Sequence, residues 1–332
     1  MTAGQRIVSG MRPTGRLHLG HLLGTLRNWR SLQARAECFF FVADWHALTT
    51  DYDRSEGMSA NILEMVIDWI AAGIDPEQVT IFVQSAIPEH AELHLLLSMI
   101  TPVGWLERVP TYKETQQQLE DRDLSTYGFL GYPVLQAADI LMYHATGVPV
   151  GADQVPHVEL TREIARRFNH LFGDTFVEPQ ALLAETPRVP GLDGRKMSKS
   201  YGNAVFLADD AAEVKAKLSR MMTDPRRARR KDPGDPSDCP AYNLHRVYCT
   251  PEELAYTAHG CRTAEIGCLD CKQIMIARAE EELGPLRARR AALAARPDDV
   301  RDVLARGTAR ARGVAAETMA RVRERVGVGG GV

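Results

Sequence analysis

No stretch of this chain approaches the roughly 18 uncharged apolar residues that a membrane span requires. No internal repeat marks a solenoid or propeller. Charge of one sign is also missing. Lys and Arg number 40 against 43 Asp and Glu, for a net charge of -3, so the chain is no polycation of the histone kind. Any contact with nucleic acid must come from a local basic patch. The first fifteen residues are short, polar and rich in Gly and Pro, without the apolar run of a secretory signal. A cytoplasmic address is therefore expected. Cysteine is sparse at six residues, and in a reducing compartment these are metal ligands or buried apolar groups before they are disulfides.

What is present is the composition of a folded protein: 332 residues, 45% hydrophobic and 25% charged. That length favours two domains, because single cores stop growing at roughly 250–300 residues. In the first part, strand-like and helix-like segments alternate. Ile7-Val8 opens a strand that runs into a Gly-rich turn, and residues 20–34 have apolar side chains at helical spacing, Leu22, Leu23, Leu26 and Trp29. Cys38 to Ala43 and Val79 to Gln84 are continuous apolar runs of strand length, suited to strands covered on both faces. A helix over 55–72, supported at its start by Ser55, lies between them. Val148-Pro149-Val150 reads as a further strand, followed by a helix over 155–172. This alternation predicts an α/β fold, a doubly wound, Rossmann-like parallel sheet, with ligand bound beyond the carboxyl ends of the strands. From about residue 201 the chain turns Ala-, Glu- and Arg-rich with helical periodicity over 209–222 and 272–326. We expect a catalytic domain over 1–200, a mainly helical domain over 201–332, and an unstructured tail from Gly327.

Two short constellations carry chemistry. His18-Leu19-Gly20-His21 follows Pro13-Thr14-Gly15 at the start of a helix, where free N–H groups and the dipole favour phosphate. Gly20 lets a base or ribose approach the backbone. Lys196-Met197-Ser198-Lys199-Ser200, with Gly191 and Gly194 ahead of it, puts two ammonium groups and two hydroxyls in a Gly-flanked loop suited to polyphosphate. Each alone also reads as ordinary surface. In this order and about 175 residues apart, they become specific. The first resembles the "HIGH" signature of class I aminoacyl-tRNA synthetases, and the second matches their "KMSKS" signature letter for letter. Gly10 to His21 looks like the N-terminal motif of the tryptophanyl/tyrosyl subgroup.

A third segment bears on the substrate. Tyr132-Pro133-Val134-Leu135-Gln136-Ala137-Ala138-Asp139-Ile140-Leu141-Met142-Tyr143 reads as a helix with Pro133 in its first turn. Gln136, Asp139 and Tyr143 then share one face. A carboxylate on an apolar helix needs a donor. Either a neighbouring Arg or a ligand N–H, such as that of an indole, could supply it, and a pocket built on such a bond rejects phenylalanine.

This segment, with Val148 to Gln154 and His157 to Glu163, resembles tryptophanyl-tRNA synthetases over essentially the whole chain. The resemblance implies tryptophan activation by ATP with Mg²⁺, transfer to the 3′ end of tryptophan tRNA, and a homodimer. It casts His18, His21, Lys196 and Lys199 as catalytic. It assigns ATP to Arg12, Pro13, Thr14, Gly20, His21, Gly151, Ala152, Asp153 and Lys196 to Ser200, and tryptophan to Asp139, Gln136, Gln154 and Tyr132. Many bacterial members carry Gln, Asn and Glu where Arg12, His21 and Ala152 stand. A tyrosyl-tRNA synthetase is the nearest rival, and a catalytically silent paralogue that binds RNA or senses redox state is an alternative of another class.

Cys239, Cys261, Cys268 and Cys271, spaced C-x21-C-x6-C-x2-C, supply four thiolates for one tetrahedral ion or one cluster, Zn²⁺ and [4Fe–4S] alike. The segment Cys261 to Lys272 resembles the iron–sulfur-bearing branch of the family, which implies [4Fe–4S]. Cys38 and Cys249 read as ordinary buried cysteines. Arg226-Arg227-Ala228-Arg229-Arg230-Lys231 places five cations in six residues, either a solvated loop or a tRNA phosphate contact.

Overall fold

The structure is a computed structural model and describes residues 4–110, 123–183 and 189–329. Among the described residues, five strands form one parallel sheet: β1 Arg6–Met11, β2 Glu37–Val42, β3 Val79–Val83, β4 Gly147–Val150 and β5 Gln180–Leu183, in the order β3-β2-β1-β4-β5. The order reverses between β1 and β4, and that switch point is where a doubly wound sheet opens a crevice. Ile7, Cys38, Phe40, Val42, Val79 and Ile81 face one core, while Val8, Phe39, Phe41 and Phe82 face the other. Alternate residues of each apolar run thus bury into opposite layers, the period-2 pleat of a sheet covered twice.

The first crossover is one continuous helical run. It comprises α1 Leu19–His21, a π-type turn Leu22–Leu26 and α2 Arg27–Gln33. Trp29 stacks on Phe40 at 4.2 Å and meets Trp69 edge-on at 4.9 Å. Next along the chain come α3 Asp44–Asp51, α4 Met58–Ala71, α5 Glu89–Ser98, α6 Val103–Leu106, α7 Tyr127–Met142 and α8 Val155–Phe172. The C-terminal domain is helical: α9 Ala211–Arg220, α10 Pro240–Tyr248, α11 Pro251–Arg262, α12 Cys268–Ala294 and α13 Pro297–Val326.

Helix α13 returns to the sheet and covers its β3 edge. A Cβ at Gly307 would lie 1.8 Å from the Ile81 carbonyl oxygen, so only glycine lets the helix lie against the strand. Covering an edge strand in this way blocks pairing with another chain.

Three local expectations change. Pro133 is not in a first turn. Helix α7 begins at Tyr127, where the Thr126 hydroxyl accepts from the Phe129 N–H at 3.2 Å. Pro133 lies inside it and frees the Phe129 carbonyl from the helical ladder. The α4 helix starts at Met58 after Gly57 in the left-handed conformation, not at Ser55. Strand β5 and helices α3 and α5, absent from the sequence reading, are present. Gly327 closes α13 with φ of 77°, and residues 330–332 of the expected tail lie outside the described residues.

Candidate active site

A cavity of about 650 Å³ opens beyond the carboxyl ends of β1 and β4. Ten of the residues picked from the sequence line it: Arg12, Thr14, His21, Tyr132, Gln136, Asp139, Gly151, Asp153, Gln154 and Lys196. Pro13, His18 and Met197 are buried, and Gly20, Ala152, Ser198, Lys199 and Ser200 stand outside its wall.

The His18–His21 turn is held by its own rings. His18 Nδ1 accepts from the Gly20 N–H at 3.1 Å, and His21 Nδ1 accepts from the His18 N–H at 3.2 Å, with ring centroids 4.0 Å apart. Burial, with the Lys199 charge, lowers the His18 pKa to about 4. Burial, His18 and Lys199 lower that of His21 to about 3. Both rings are therefore neutral at pH 7, and because each Nδ1 accepts, each Nε2 carries the hydrogen and donates. A Cβ at Gly20 would lie 2.8 Å from the His18 ring. Glycine at this position thus lets the His18 ring lie close against the backbone.

The two signatures meet directly. The Leu19 N–H donates to the Val205 carbonyl at 2.9 Å and the Leu207 N–H to that of Leu17 at 3.0 Å. The segment after the KMSKS loop is thereby pinned to the HIGH turn. The Lys199 ammonium donates to the Thr14 carbonyl. Burial and the Arg12 charge lower the Lys199 pKa, against the opposing pull of Asp51. Asn203, which no motif marks, organises the loop. Its Oδ1 accepts from the Ser198 N–H at 2.8 Å, and its Nδ2 donates to Asp193 at 2.7 Å and to the Lys196 carbonyl at 3.2 Å.

Asp139 is 1% exposed, and its partners are neither an Arg nor Tyr143. His46 Nε2 lies 2.7 Å from Oδ2 and His90 Nδ1 2.6 Å from Oδ1, while Gln84 Nε2 donates to both oxygens at 2.8 and 2.9 Å. Burial alone would raise its pKa, but the bonds from His46 and His90 outweigh burial and hold it below the usual carboxylate value. Tyr143, expected on the face of Gln136 and Asp139, sits behind the wall with its hydroxyl 2.7 Å from His90 Nε2. Asp44 fastens the start of α3 to the turn after β3 by accepting from the Ser85 N–H at 3.1 Å. That contact brings His46 and Gln84 together. His46, Gln84 and His90 come from three separate elements, and only a buried Asp139 in need of donors signalled them. Tyr132 bonds His157 Nε2 at 2.7 Å.

In the helical domain, Cys239, Cys261, Cys268 and Cys271 line one small cavity with His245, Arg227 and Lys272. Burial and the neighbouring thiols push Cys271 up to about 12. Among the described residues, no three His, Cys, Asp or Glu side chains are grouped so as to hold a single metal ion. Cys38 is buried as expected, but Cys249 is half-buried and lies 3.3 Å from His245 Nδ1, whose Nε2 is 3.3 Å from Cys271. The basic run is partly consumed by the fold. Arg226 pairs with Asp238 at 2.5 Å and with Asp224 at 3.3 Å, and buried Arg227 donates to the Ile266 carbonyl at 2.6 Å. Arg229, Arg230 and Lys231 remain exposed.

Residues 2–284 match the sequence profile of the class I tRNA synthetases for tryptophan and tyrosine. The chain is 54% identical over 320 residues to the tryptophan–tRNA ligase of Thermotoga maritima, covering 96% of this chain and 98% of that protein. It is 47% identical to the tryptophan–tRNA ligase of Ralstonia nicotianae, covering 98% of each. Its fold matches the tryptophanyl-tRNA synthetase of Campylobacter jejuni, solved with ADP and tryptophan, with a TM-score of 0.88 and 30% identity over 98% of this chain and 100% of that one.

Proposed function

The chain belongs to the class I tRNA synthetases for tryptophan and tyrosine, and we infer from its full-length likeness to tryptophan–tRNA ligases that it is one, activating tryptophan with ATP and charging tryptophan tRNA. The observation that carries the site assignment is the single cavity onto which His21, Lys196 and buried Asp139 converge.

A carboxylate oxygen of tryptophan attacks the α-phosphorus of ATP. The bond from that phosphorus to the bridging oxygen breaks, and pyrophosphate leaves with Mg²⁺. The nucleophile is ionised at pH 7, so no general base is needed, and rate comes from alignment and charge neutralisation. His18 and His21, neutral and donating from Nε2, orient the nucleotide. Arg12, Pro13, Thr14, Gly20, Gly151, Ala152, Asp153 and the loop Lys196 to Ser200 form its bed, with Lys196 and Lys199 against the terminal phosphates. Gln136, Gln154 and Tyr132 receive the amino acid, and Asp139 accepts the indole N–H. In the second step a hydroxyl of the terminal ribose of the tRNA attacks the acyl carbon, and AMP leaves.

We place the catalytic domain at 1–200 and a helical, anticodon-binding domain at 201–332. A homodimer is supported by Leu95, Met99, Val103 and Tyr127, exposed apolar residues on or beside the adjoining helices α5, α6 and α7. No helix among the described residues is long and apolar enough to cross a membrane, and we assign the activity to the cytoplasm.

Cys239, Cys261, Cys268 and Cys271 would hold a [4Fe–4S] cluster. Four thiols facing one cavity support this, as do Arg227 and Lys272 beside them, whose charge offsets that of four thiolates. Zn²⁺ and [4Fe–4S] both take four thiolates, and the likeness of Cys261 to Lys272 to the iron–sulfur-bearing branch is what favours the cluster. The cluster would cross-link three helices of the tRNA-binding domain. Iron and sulfide analysis of anaerobically purified protein, with its visible absorbance, separates iron–sulfur from zinc.

The activity is tested by ATP–pyrophosphate exchange with tryptophan, tyrosine and phenylalanine offered separately. We expect exchange with tryptophan alone. Exchange with tyrosine would overturn the pocket reading, and no exchange with any of the three would overturn the activity.

A further inference from the structure

The carboxylate of Asp139 has about four lone-pair positions, and three side chains fill them. Oδ1 takes Gln84 and His90, and Oδ2 takes Gln84 and His46. These donors are not equivalent in place. Gln84 and His90 are 0% exposed and stand behind the carboxylate, while His46 lines the cavity. Tyr143 closes the rear, its hydroxyl 2.7 Å from His90 Nε2 and its ring stacked on Phe39 at 4.7 Å. With that hydroxyl donating to Nε2, His90 keeps its hydrogen on Nδ1, facing Asp139.

An incoming N–H can bond Asp139 only by taking a position already in use. The two buried donors have nowhere to go, since interiors are close-packed. His46 can turn into the cavity. We propose that Gln84, His90 and Tyr143 form a permanent brace that orients Asp139 for the indole N–H, and that His46 is the donor this N–H displaces. The brace makes His90 and Tyr143 positioning residues for amino-acid specificity. The inference rests on Asp139 being the indole acceptor.

The test is ATP–pyrophosphate exchange with tryptophan and with 3-(benzothiophen-3-yl)alanine, in which sulfur replaces the indole N–H at nearly the same shape. The parent enzyme should prefer tryptophan, and Asp139→Leu, which removes the acceptor, should abolish that preference. His90→Leu should lose about 10-fold or more of it, the worth of a hydrogen bond to a charged group. The loss should fall on KM for tryptophan, with KM for ATP unchanged. His90→Gln keeps an N–H donor and should restore most of the preference, and Tyr143→Phe should fall between. His46→Ala should leave the preference intact or larger. If His90→Leu does not fold, Tyr143→Phe against His90→Gln carries the same comparison. Preference retained in Asp139→Leu overturns the acceptor reading and the brace with it. Preference lost in Asp139→Leu but retained in the His90 and Tyr143 variants overturns the brace alone. Equal losses for both amino acids in His90→Leu would mark His90 as merely structural, and a loss in His46→Ala like that in His90→Leu would place His46 among the permanent donors.

Discussion

The ammonium of Lys199 bonds the backbone carbonyl of Thr14, a residue 185 positions earlier in the chain. The contact joins the KMSKS loop to the turn that precedes the HIGH motif, at the rim of the cavity. Lys199 is thus held at the cavity rim by a partner that a phosphate can replace.

Lys199→Ala should lower adenylate formation about 100-fold or more, the scale seen when one preorganised transition-state donor is removed. Tryptophan binding, measured by fluorescence titration, should change little. An equal loss of both would contradict the role given to the lysine.

Asn203→Ala removes three bonds that shape the same loop. At about 1–3 kcal/mol for a buried polar group left unpaired, KM for ATP should rise on the order of 10-fold. KM for tryptophan should hold, and steady-state exchange rates over both substrates check the split.

The neutral histidines set an acid limit. The His18 and His21 pKa values are lowered to about 4 and about 3 from an ordinary 6.5, so the unfolded chain binds more protons than the folded one in this window. Their contribution is whole above pH 6.5 and is lost progressively as pH falls toward 4 and 3. Asp139, lowered from 3.8, loses its contribution only at lower pH. Thermal melts should therefore show the midpoint falling below pH 6.5. In His21→Asn, which caps the turn without titrating, the fall should be shallower; an unchanged slope would refute the assignment.

Gly307→Ala places a methyl group on the Ile81 carbonyl. Overpacking against backbone should cost about 3 kcal/mol, read as a lower urea midpoint with the slope kept. A neutral result would mean that α13 does not lie against β3 as described.

Strands β1 to β4 and helices α4 and α8 were legible in the sequence, because a strand covered on both faces reads as an unbroken apolar run and a helix as a 3.6-residue stripe. Phe39 to Val42 and Val155 to Phe172 declare themselves in this way. Short elements without such a stripe did not, β5 at the sheet edge among them. Pro133 looked like a helix start because proline is at home there, yet the α7 cap is Thr126, and packing of α7 on α5 and α8 outweighs the lost backbone bond.

The chemistry divides along the same line. His18, His21, Lys196 and Lys199 lie in short contiguous motifs, so their meaning is local, and the four cysteines are recognisable by number and spacing. Which groups hold Asp139 was decided only by the tertiary structure. His46, Gln84 and His90 sit on α3, the turn after β3 and α5, and nothing in their immediate neighbours marks them. They meet because parallel strands end together at one edge of the sheet, where segments distant in the chain face a single buried charge that must be satisfied.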